Sequence, residues 1–305
     1  MNQTERIKTK LTEQLKANLP AGWEDGEVVF EEIYKNNLSK TAFSVRTPKK
    51  QMSPTMYLEN ILNQLILLPM TEDEAISEAV GTYIRAISEI PKVDVEKMCS
   101  KEYILNNVFP VFINKEKNKE KILTHPHRDF FDLVVLYRAM APMENMQEKA
   151  TYLITTSLCK EITEEELFAA AMKNIEHNED VDSLYSILSK ADYLSEEEDD
   201  NDMTGCSKSM IICSNKNRTY GAAQILSLST QKKICEKLGD KFFILPSSVH
   251  ELICYPYTED FREIMHLLNM VSQVNASEVS EEEFLSDNVY RYEKGTFSVI
   301  KKYAI

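Results

Sequence analysis

The sequence predicts an α+β fold, in which a mixed, largely antiparallel sheet carries helices packed on it behind a helical and β-hairpin N-terminal portion. Two observations predict this class. Amphipathic helical stripes and short apolar strand candidates follow one another in mixed order, and several neighbouring strands are separated by hairpin-length connections. The strict alternation of strand and helix that is typical of a doubly wound parallel sheet is missing.

The N-terminal portion begins with an amphipathic pattern and continues with strand-forming residues. The spacing of apolar residues predicts a helix over 4–18, which the turn-forming residues Pro20 and Gly22 end. Two β-rich runs then surround Asn36 and Asn37, and this pattern predicts a hairpin whose second strand ends before the next proline.

Two further helices are predicted in this portion. Ser53 as N-cap and Pro54 in the first turn predict a helix over 54–68. Thr71 and Glu74 have the spacing of a capping box, in which each side chain bonds the backbone N–H of the other residue, so a second helix is expected to begin there.

The central part of the chain predicts sheet and one well-marked helix. Apolar runs at 108–114, 129–140 and 150–158 are strand candidates, and we expect the last two to pair antiparallel across a short polar connection. Thr163 and Glu166 repeat the capping-box spacing before a regular apolar stripe, which predicts a helix.

An acidic run and a second α/β series complete the chain. Residues 195–202 hold six acidic side chains in eight positions, which favours a solvated loop over a weak divalent-cation site because buried charges are costly. Beyond it we expect strands, a helix over 230–238, a helix over 258–274 with Phe261 on its buried stripe, a capping box at Ser280, and a final hairpin. The predicted portions are an N-terminal one at 1–105, an α/β one at 106–194, the acidic loop at 195–208 and a C-terminal α/β one at 209–305, and the second and fourth can form one unit.

Composition excludes several classes of protein. The 305 residues are 43% hydrophobic and 28% charged, the balance of a folded globular protein. A net charge of -14 repels a phosphate backbone, so nucleic acid is not expected as a partner. No apolar run reaches the roughly 20 residues of a membrane span, and no secretory signal is recognised, so a cytoplasmic location without membrane contact is expected. Six cysteines without a CxxC pair suggest reduced thiols. The sequence contains no phosphate-binding glycine motif, so no cofactor is expected.

Six separated blocks, in one order over nearly the full chain, carry a family resemblance. They are SPTMYLENI, HPHRDFFDLVVLYR, ITEEELFAAAMKNIE, RTYGAAQIL, FFILPSSVHELICYP and FLSDNVYRYEKG. With these blocks the chain resembles domain-of-unknown-function family 5688, a group from Gram-positive anaerobic bacteria. Its later part is similar to domain-of-unknown-function family 1444. The resemblance implies a bacterial protein and implies no mechanism.

The segment LPSSVHE contains two hydroxyls, an imidazole and a carboxylate at the end of an apolar strand. In a hydrolase, Ser247 or Ser248 would be the nucleophile and His250 its base. Glu251 or a distant carboxylate would orient the imidazole ring. The alternative is a β-turn in which the serine hydroxyls bond the backbone, and the absence of a GxSxG elbow favours it.

A second cluster consists of His125, His127, Arg128 and Asp129, with Asp132 a further candidate binding residue nearby. Two histidines two residues apart can reach one metal ion from an extended segment, with Asp132 or Glu251 as a further ligand, and His250 is a third candidate imidazole. The positive charge of Arg128 disfavours a cation there. The alternatives are an exposed turn in which Arg128 pairs with an acid, and a contact for an anion or a partner.

A third cluster is Arg218, Tyr220 and Gly221. Gly221 at a helix start, with Arg218 adding charge, could accept an anion. The alternative is that Gly221 permits a tight turn or close packing.

Two function hypotheses follow, with the non-catalytic one favoured. The first is a protein-binding or regulatory module that engages another protein near residues 125–132 and 246–251. It is favoured because the sequence has no complete catalytic signature. The alternative is a hydrolase or metal-dependent enzyme that uses Ser248, His250 and Glu251. The oligomeric state stays open.

Overall fold

In a computed structural model, the structure describes residues 2–142, 150–190 and 210–300, except for the side chains of 188–190. The predicted acidic loop lies outside these ranges. The chain divides into two units, the first ending at Val93 and the second beginning at Asp94. With 41% helix and 26% strand in antiparallel sheets, the structure confirms the predicted α+β class.

The first unit has three helices and a three-stranded antiparallel sheet in the order β1-β2-β3, packed around one apolar core. Its helices are α1 (Gln3–Asn18), α2 (Leu58–Leu67) and α3 (Glu72–Ser88), and its strands are β1 (Glu27–Tyr34), β2 (Ser39–Arg46) and β3 (Met56–Tyr57). The first helix, the hairpin and the capping box at Thr71 are confirmed.

The predicted start of α2 is wrong. Ser53 does not cap the helix, because Tyr57 pairs with Ala42 of β2 and the chain is still extended there. The Ser53 hydroxyl instead lies 2.9 Å from the hydroxyl of Tyr83, a fully buried residue of α3. That tyrosine oxygen also accepts a hydrogen bond of 2.6 Å from the backbone N–H of Val45, a residue of β2 with which the two-residue strand β3 does not pair.

The second unit contains two antiparallel sheets. In the smaller sheet β6 is central, with β4 on one side and β5 and β7 on the other. The larger sheet has the order β13-β12-β10-β11-β9-β8. The strands are β4 (Val108–Asn114), β5 (Arg128–Phe130), β6 (Leu133–Met140), β7 (Thr151–Leu153), β8 (Glu179–Ser183), β9 (Ile211–Asn215), β10 (Lys241–Pro246), β11 (Leu252–Pro256), β12 (Val289–Glu293) and β13 (Thr296–Ile300).

Helices of the second unit lie between and beside these strands. They are α4 (Val95–Met98), α5 (Lys101–Asn107), α6 (Lys119–Leu123), α7 (Glu164–Ile175), α8 (Leu184–Lys190), α9 (Leu228–Leu238) and α10 (Phe261–Ser277). The capping box that begins α7 and the final hairpin are confirmed. Among the described helices of the chain, none has the length and apolar character that crossing a membrane requires.

The main core of the second unit is shared by both sheets. Phe112 of the smaller sheet and Phe242 of the larger sheet belong to the same buried cluster. Successive strand residues point to opposite faces, and Phe243 accordingly packs on the other side, against α10. Cys213 and Cys254 are free thiols within the shared core, where desolvation raises their pKa.

Three local predictions in this unit are wrong. The strand expected over 129–140 is interrupted, because Phe130 pairs with Leu133 around a two-residue turn in which Phe131 has a positive φ of 57°. The capping-box pattern at Ser280 begins a turn and no helix. Phe261 is 71% exposed at the first position of α10, and the helix instead buries a stripe that includes Leu267.

Candidate functional site

The second unit contains an open cavity of about 1040 Å³. Its walls come from the ends of α5 and α7, the paired parts of β4, β6 and β7, and the loop after β9. Side-chain amides dominate its polar lining: Asn106, Asn107, Asn174, Asn178, Asn215, Asn217 and Gln224. These residues were not among the predicted site residues, because no sequence spacing connects them. The available signal was the presence of asparagines in the stretches 106–107, 174–178 and 215–217, and this signal does not show that the three stretches line one cavity.

One of these amides holds the loop after β9 in place. The buried Asn215 donates from Nδ2 to the carbonyl oxygen of Thr219 at 2.9 Å. Its Oδ1 accepts from the backbone N–H groups of Asn217 at 3.1 Å and Thr219 at 3.3 Å. Since both ends of the amide bond the loop, Asn215 is a structural residue of the cavity wall.

Three other amides bond the protein through nitrogen alone, and the first is Asn107, whose Nδ2 donates to the carbonyl oxygen of Tyr103 at 2.9 Å. Asn174 Nδ2 donates to the carbonyl oxygens of Leu105 and Val108, both at 2.9 Å. Gln224 Nε2 donates to the carbonyl oxygen of Ile175 at 2.7 Å and to Thr230 Oγ1 at 3.1 Å. Because carbonyl oxygens only accept, these bonds fix the orientation of all three amides. Neither Asn174 Oδ1 nor Gln224 Oε1 accepts a hydrogen bond within the described ranges.

Three further amides have no internal role. Asn178 is half-buried, and Asn106 and Asn217 are exposed. Across residues 2–142, 150–190 and 210–300, their side chains make no hydrogen bond. The cavity therefore presents amide groups that are free to donate and accept, while the neighbouring amides maintain its shape.

The structure brings the predicted Tyr220 and Gly221 together with His250. The backbone N–H of Tyr220 donates to His250 Nδ1 at 3.1 Å, and the two rings lie 5.5 Å apart between centroids. The N–H of Gly221 donates to the carbonyl oxygen of His250 at 3.0 Å. A Cβ on Gly221 would lie 2.2 Å from Ser214 Oγ, so only glycine permits this approach. Tyr220 also lines the cavity.

The Ser248 hydroxyl bonds the backbone of His250 and not its imidazole ring. Ser248 Oγ accepts from the backbone N–H of His250 at 3.0 Å, and its own N–H donates to the carbonyl oxygen of Glu251. His250 Nδ1 is an acceptor for Tyr220, so the neutral ring carries its proton on Nε2, which lies 3.5 Å from Glu283 Oε1. Ser247 adjoins this turn, and no side-chain bond links it to the imidazole.

His125 and His127 make local bonds. Each Nδ1 faces a backbone carbonyl oxygen, that of Lys121 at 2.7 Å for His125 and that of His125 itself at 3.0 Å for His127. Each Nδ1 therefore carries the proton. Desolvation lowers the pKa of His125. Within the described residues, no group of three His, Cys, Asp or Glu side chains is arranged to hold a metal ion.

Arg128 pairs with a carboxylate, Glu164, at the start of α7. Its Nε and Nη2 contact the two carboxylate oxygens at 3.0 and 2.7 Å, and the guanidinium lies 4.0 Å from the ring centroid of Phe168. The Tyr137 hydroxyl donates to the same carboxylate. Desolvation acts to raise the pKa of Glu164, but the hydrogen bonds from Arg128 and Tyr137 outweigh it and hold that pKa below its usual value.

Asp132 is fully engaged in the fold. Its carboxylate accepts from Ser286 Oγ at 2.6 Å, Asn288 Nδ2 at 2.8 Å and Tyr290 Oη at 2.7 Å. We call Asp132 with these three donors the Asp132 cluster. The chain segment that supplies these donors begins just after Glu283, which faces His250. Arg218, the remaining predicted residue, pairs with Asp180 at 2.9 Å.

Fold and site together define an α+β protein whose larger unit combines two antiparallel sheets with an amide-lined cavity. The chain belongs to the family of unknown function DUF5688, which matches residues 4–294. This match confirms the resemblance to family 5688, and the similarity to family 1444 stays a prediction. No curated protein and no solved structure matches the chain.

Proposed function

We propose that the chain is a non-catalytic protein-binding module and that its amide-lined cavity holds an extended segment of the partner polypeptide. The observation that carries this proposal is the set of free amides at Asn106, Asn178 and Asn217. A peptide group has one donor and one acceptor, and a side-chain amide offers the same two functions. Ligand pockets commonly measure about 300–1,000 Å³, and the cavity, at about 1040 Å³, reaches the upper end of that range.

The ionisable groups of the lining support binding over catalysis. The carboxylate of Glu176 accepts from Ser227 Oγ and from the backbone N–H of Ser229, both at 2.8 Å. It therefore stabilises the start of α9. His177 and Tyr220, the other ionisable residues of the lining, have no carboxylate partner in the described residues. A general acid and base close to each other are what proton-transfer catalysis needs.

This proposal shifts the partner site from the expected surface to a neighbouring one. The expected surface included residues 246–251, and the cavity wall meets it at Tyr220, which contacts His250. Part of the expected contact is therefore retained. The free amides supply hydrogen-bonding groups that the bonded side chains of Asp132 and Arg128 do not.

Selection of binding peptides from a random library displayed on phage tests the proposal. A peptide selected on the wild-type chain should bind the double variant Asn178→Ala/Asn217→Ala at least about tenfold more weakly, because each amide hydrogen bond contributes about 1 kcal/mol. The matched control is Asn60→Ala/Asn63→Ala, which removes two exposed amides from α2 in the other unit. The control should bind the peptide like the wild type.

Two results would contradict the proposal. One is equal affinity of the selected peptides for the cavity variant and the control variant, which would exclude the cavity as their site. The other is covalent labelling of Ser247 or Ser248 by a serine-reactive fluorophosphonate, lost on Ser→Ala substitution. That result would favour the hydrolase hypothesis.

A further inference from the structure

The cavity lies at the C-terminal end of α7. This helix runs for twelve residues and ends at Ile175, directly beside Asn174 and the turn that forms one cavity wall. Aligned peptide dipoles give the C-terminal end of a helix a partial negative charge, up to about half an elementary charge. The potential at this wall therefore favours a positively charged group.

Two residues of the cavity lining, Gln224 and Asn174, have side-chain oxygens that accept no hydrogen bond from the described residues. Gln224 is only 2% exposed, and its nitrogen is held by Ile175 and Thr230, so the amide cannot turn to present a donor to the cavity. Asn174 is fixed in the same sense by two carbonyl oxygens. Within the described residues, Gln224 Oε1 and Asn174 Oδ1 receive no hydrogen bond. A carbonyl oxygen in a largely buried place gains free energy from a donor.

The protein's own cations near the cavity already have partners, and two of them are paired with residues of the lining. Lys216 Nζ donates to the carbonyl oxygen of His177 at 3.0 Å, and Arg218 pairs with Asp180. Arg138 donates to Thr151 Oγ1 at 3.0 Å and to its carbonyl oxygen at 3.1 Å, and its guanidinium lies 4.5 Å from the ring centroid of Tyr220. None of the three donates to the free oxygens of Asn174 and Gln224.

We propose that the cavity recognises a basic side chain, lysine or arginine, of the partner segment. Its ammonium or guanidinium donors bond Gln224 Oε1 and Asn174 Oδ1 at the end of α7. The net charge of -14 attracts such a segment over a longer range. This inference rests on the proposed function, because it specifies the chemistry of the segment that the cavity holds.

Three blocked pentapeptides, acetyl-Gly-Ser-X-Ser-Gly-amide with lysine, norleucine or glutamate at X, test the inference. They are titrated at one ionic strength into isotopically labelled protein, and the side-chain amide signals of Gln224 and Asn174 are followed by NMR. The lysine peptide should shift both signals saturably and bind at least about tenfold more tightly than the norleucine peptide. The glutamate peptide should bind more weakly than both.

A variant distinguishes the contribution of the Gln224 amide oxygen to lysine binding from that of the protein's overall negative charge. Gln224→Met keeps the length of the side chain and removes the acceptor, so the preference for lysine over norleucine should fall about tenfold. Asn60→Ala on α2 should retain that preference. The titration of the wild-type protein decides the inference even where Gln224→Met fails to fold.

The outcomes distinguish the two proposals. If the norleucine or glutamate peptide shifts the cavity signals as strongly as the lysine peptide, the basic-residue inference is overturned and the proposed function stands. If no peptide shifts these signals at concentrations up to about 10 mM, the binding free energy is below about 3 kcal/mol. That result overturns both the basic-residue inference and the proposed function.

Discussion

The Asp132 cluster and the amide-lined cavity are both rich in polar side chains, yet they differ in how those side chains are used. Asp132 accepts three hydrogen bonds, from the side chains of Ser286 and Asn288 just before β12 and of Tyr290 within it. In the cavity, Asn178 and Asn217 bond nothing through their side chains within the described residues. A polar cluster whose members bond one another stabilises the fold, whereas unpaired polar groups on a cavity wall are available to a ligand.

The largest expected effect is the loss of Asp132. Asp132→Ala leaves the hydroxyls of Ser286 and Tyr290 without their acceptor, so we expect the free energy of unfolding to fall by about 3 kcal/mol. Urea denaturation of the full chain measures it. Asp129→Ala is the matched control, since Asp129 makes one exposed ion pair with Lys115 and its loss should cost under about 1 kcal/mol. Equal costs would show that the Asp132 cluster is not structural.

Gly221→Ala should have the next largest effect. The new Cβ would lie 2.6 Å from the backbone nitrogen of Asn215 and 2.7 Å from the carbonyl oxygen of His250, atoms that cannot move aside cheaply. We expect a loss of about 2 kcal/mol in thermal or urea unfolding and weaker peptide binding, because Tyr220 is displaced from the wall. Gly81→Ala in α3 is the control, and there a Cβ meets only Arg85 Nη1 at 3.8 Å. It should stabilise the chain by about 0.5–1 kcal/mol.

A smaller effect is expected from the ion pair of Arg128 and Glu164. The folded-state pKa of Glu164 lies below the unfolded value of 4.5, so its contribution is present above that pH and is lost as pH falls through the folded pKa. Its carboxylate is partly solvent-exposed, which keeps the contribution below about 1 kcal/mol. Between roughly pH 6 and pH 3, where carboxyl groups titrate, the free energy of unfolding should fall less steeply with pH for Glu164→Gln than for the wild type. An unchanged slope would contradict the pairing.

The smallest expected change in stability belongs to the cavity amides. Asn178→Ala/Asn217→Ala removes side chains that bond nothing in the described residues, so the free energy of unfolding should stay within about 0.5 kcal/mol of the wild type. Urea unfolding checks this. A loss above about 2 kcal/mol would mean that these amides serve the fold, and the contrast with the Asp132 cluster would disappear.

Local signals explain how much of the fold could be predicted. The capping boxes at Thr71 and Thr163 begin helices as expected, because each is followed by an apolar stripe that is buried in the core of its unit. Ser280 and Glu283 have the same spacing and begin only a turn. There the backbone of Glu283 accepts from the N–H of Val249, and its carboxylate faces His250. A tertiary contact of this kind leaves no mark in a local pattern.

The candidate site was predictable only in part. For Gly221, the sequence offered a tight turn or close packing as the alternative to an anion site. The structure agrees with close packing, because a Cβ at this position would lie 2.2 Å from Ser214 Oγ. The cavity itself was not predictable. Asn106, Asn178 and Gln224 meet through strand pairing and helix packing, whereas the sequence places them on three separate stretches without a shared period.

Intermolecular nuclear Overhauser effects in a complex with a selected peptide test the central claim most directly. The account predicts contacts between peptide protons and the side-chain amide protons of Asn178 and Asn217. Effects confined to residues 125–132 and 246–251, with none to the cavity amides, would contradict it.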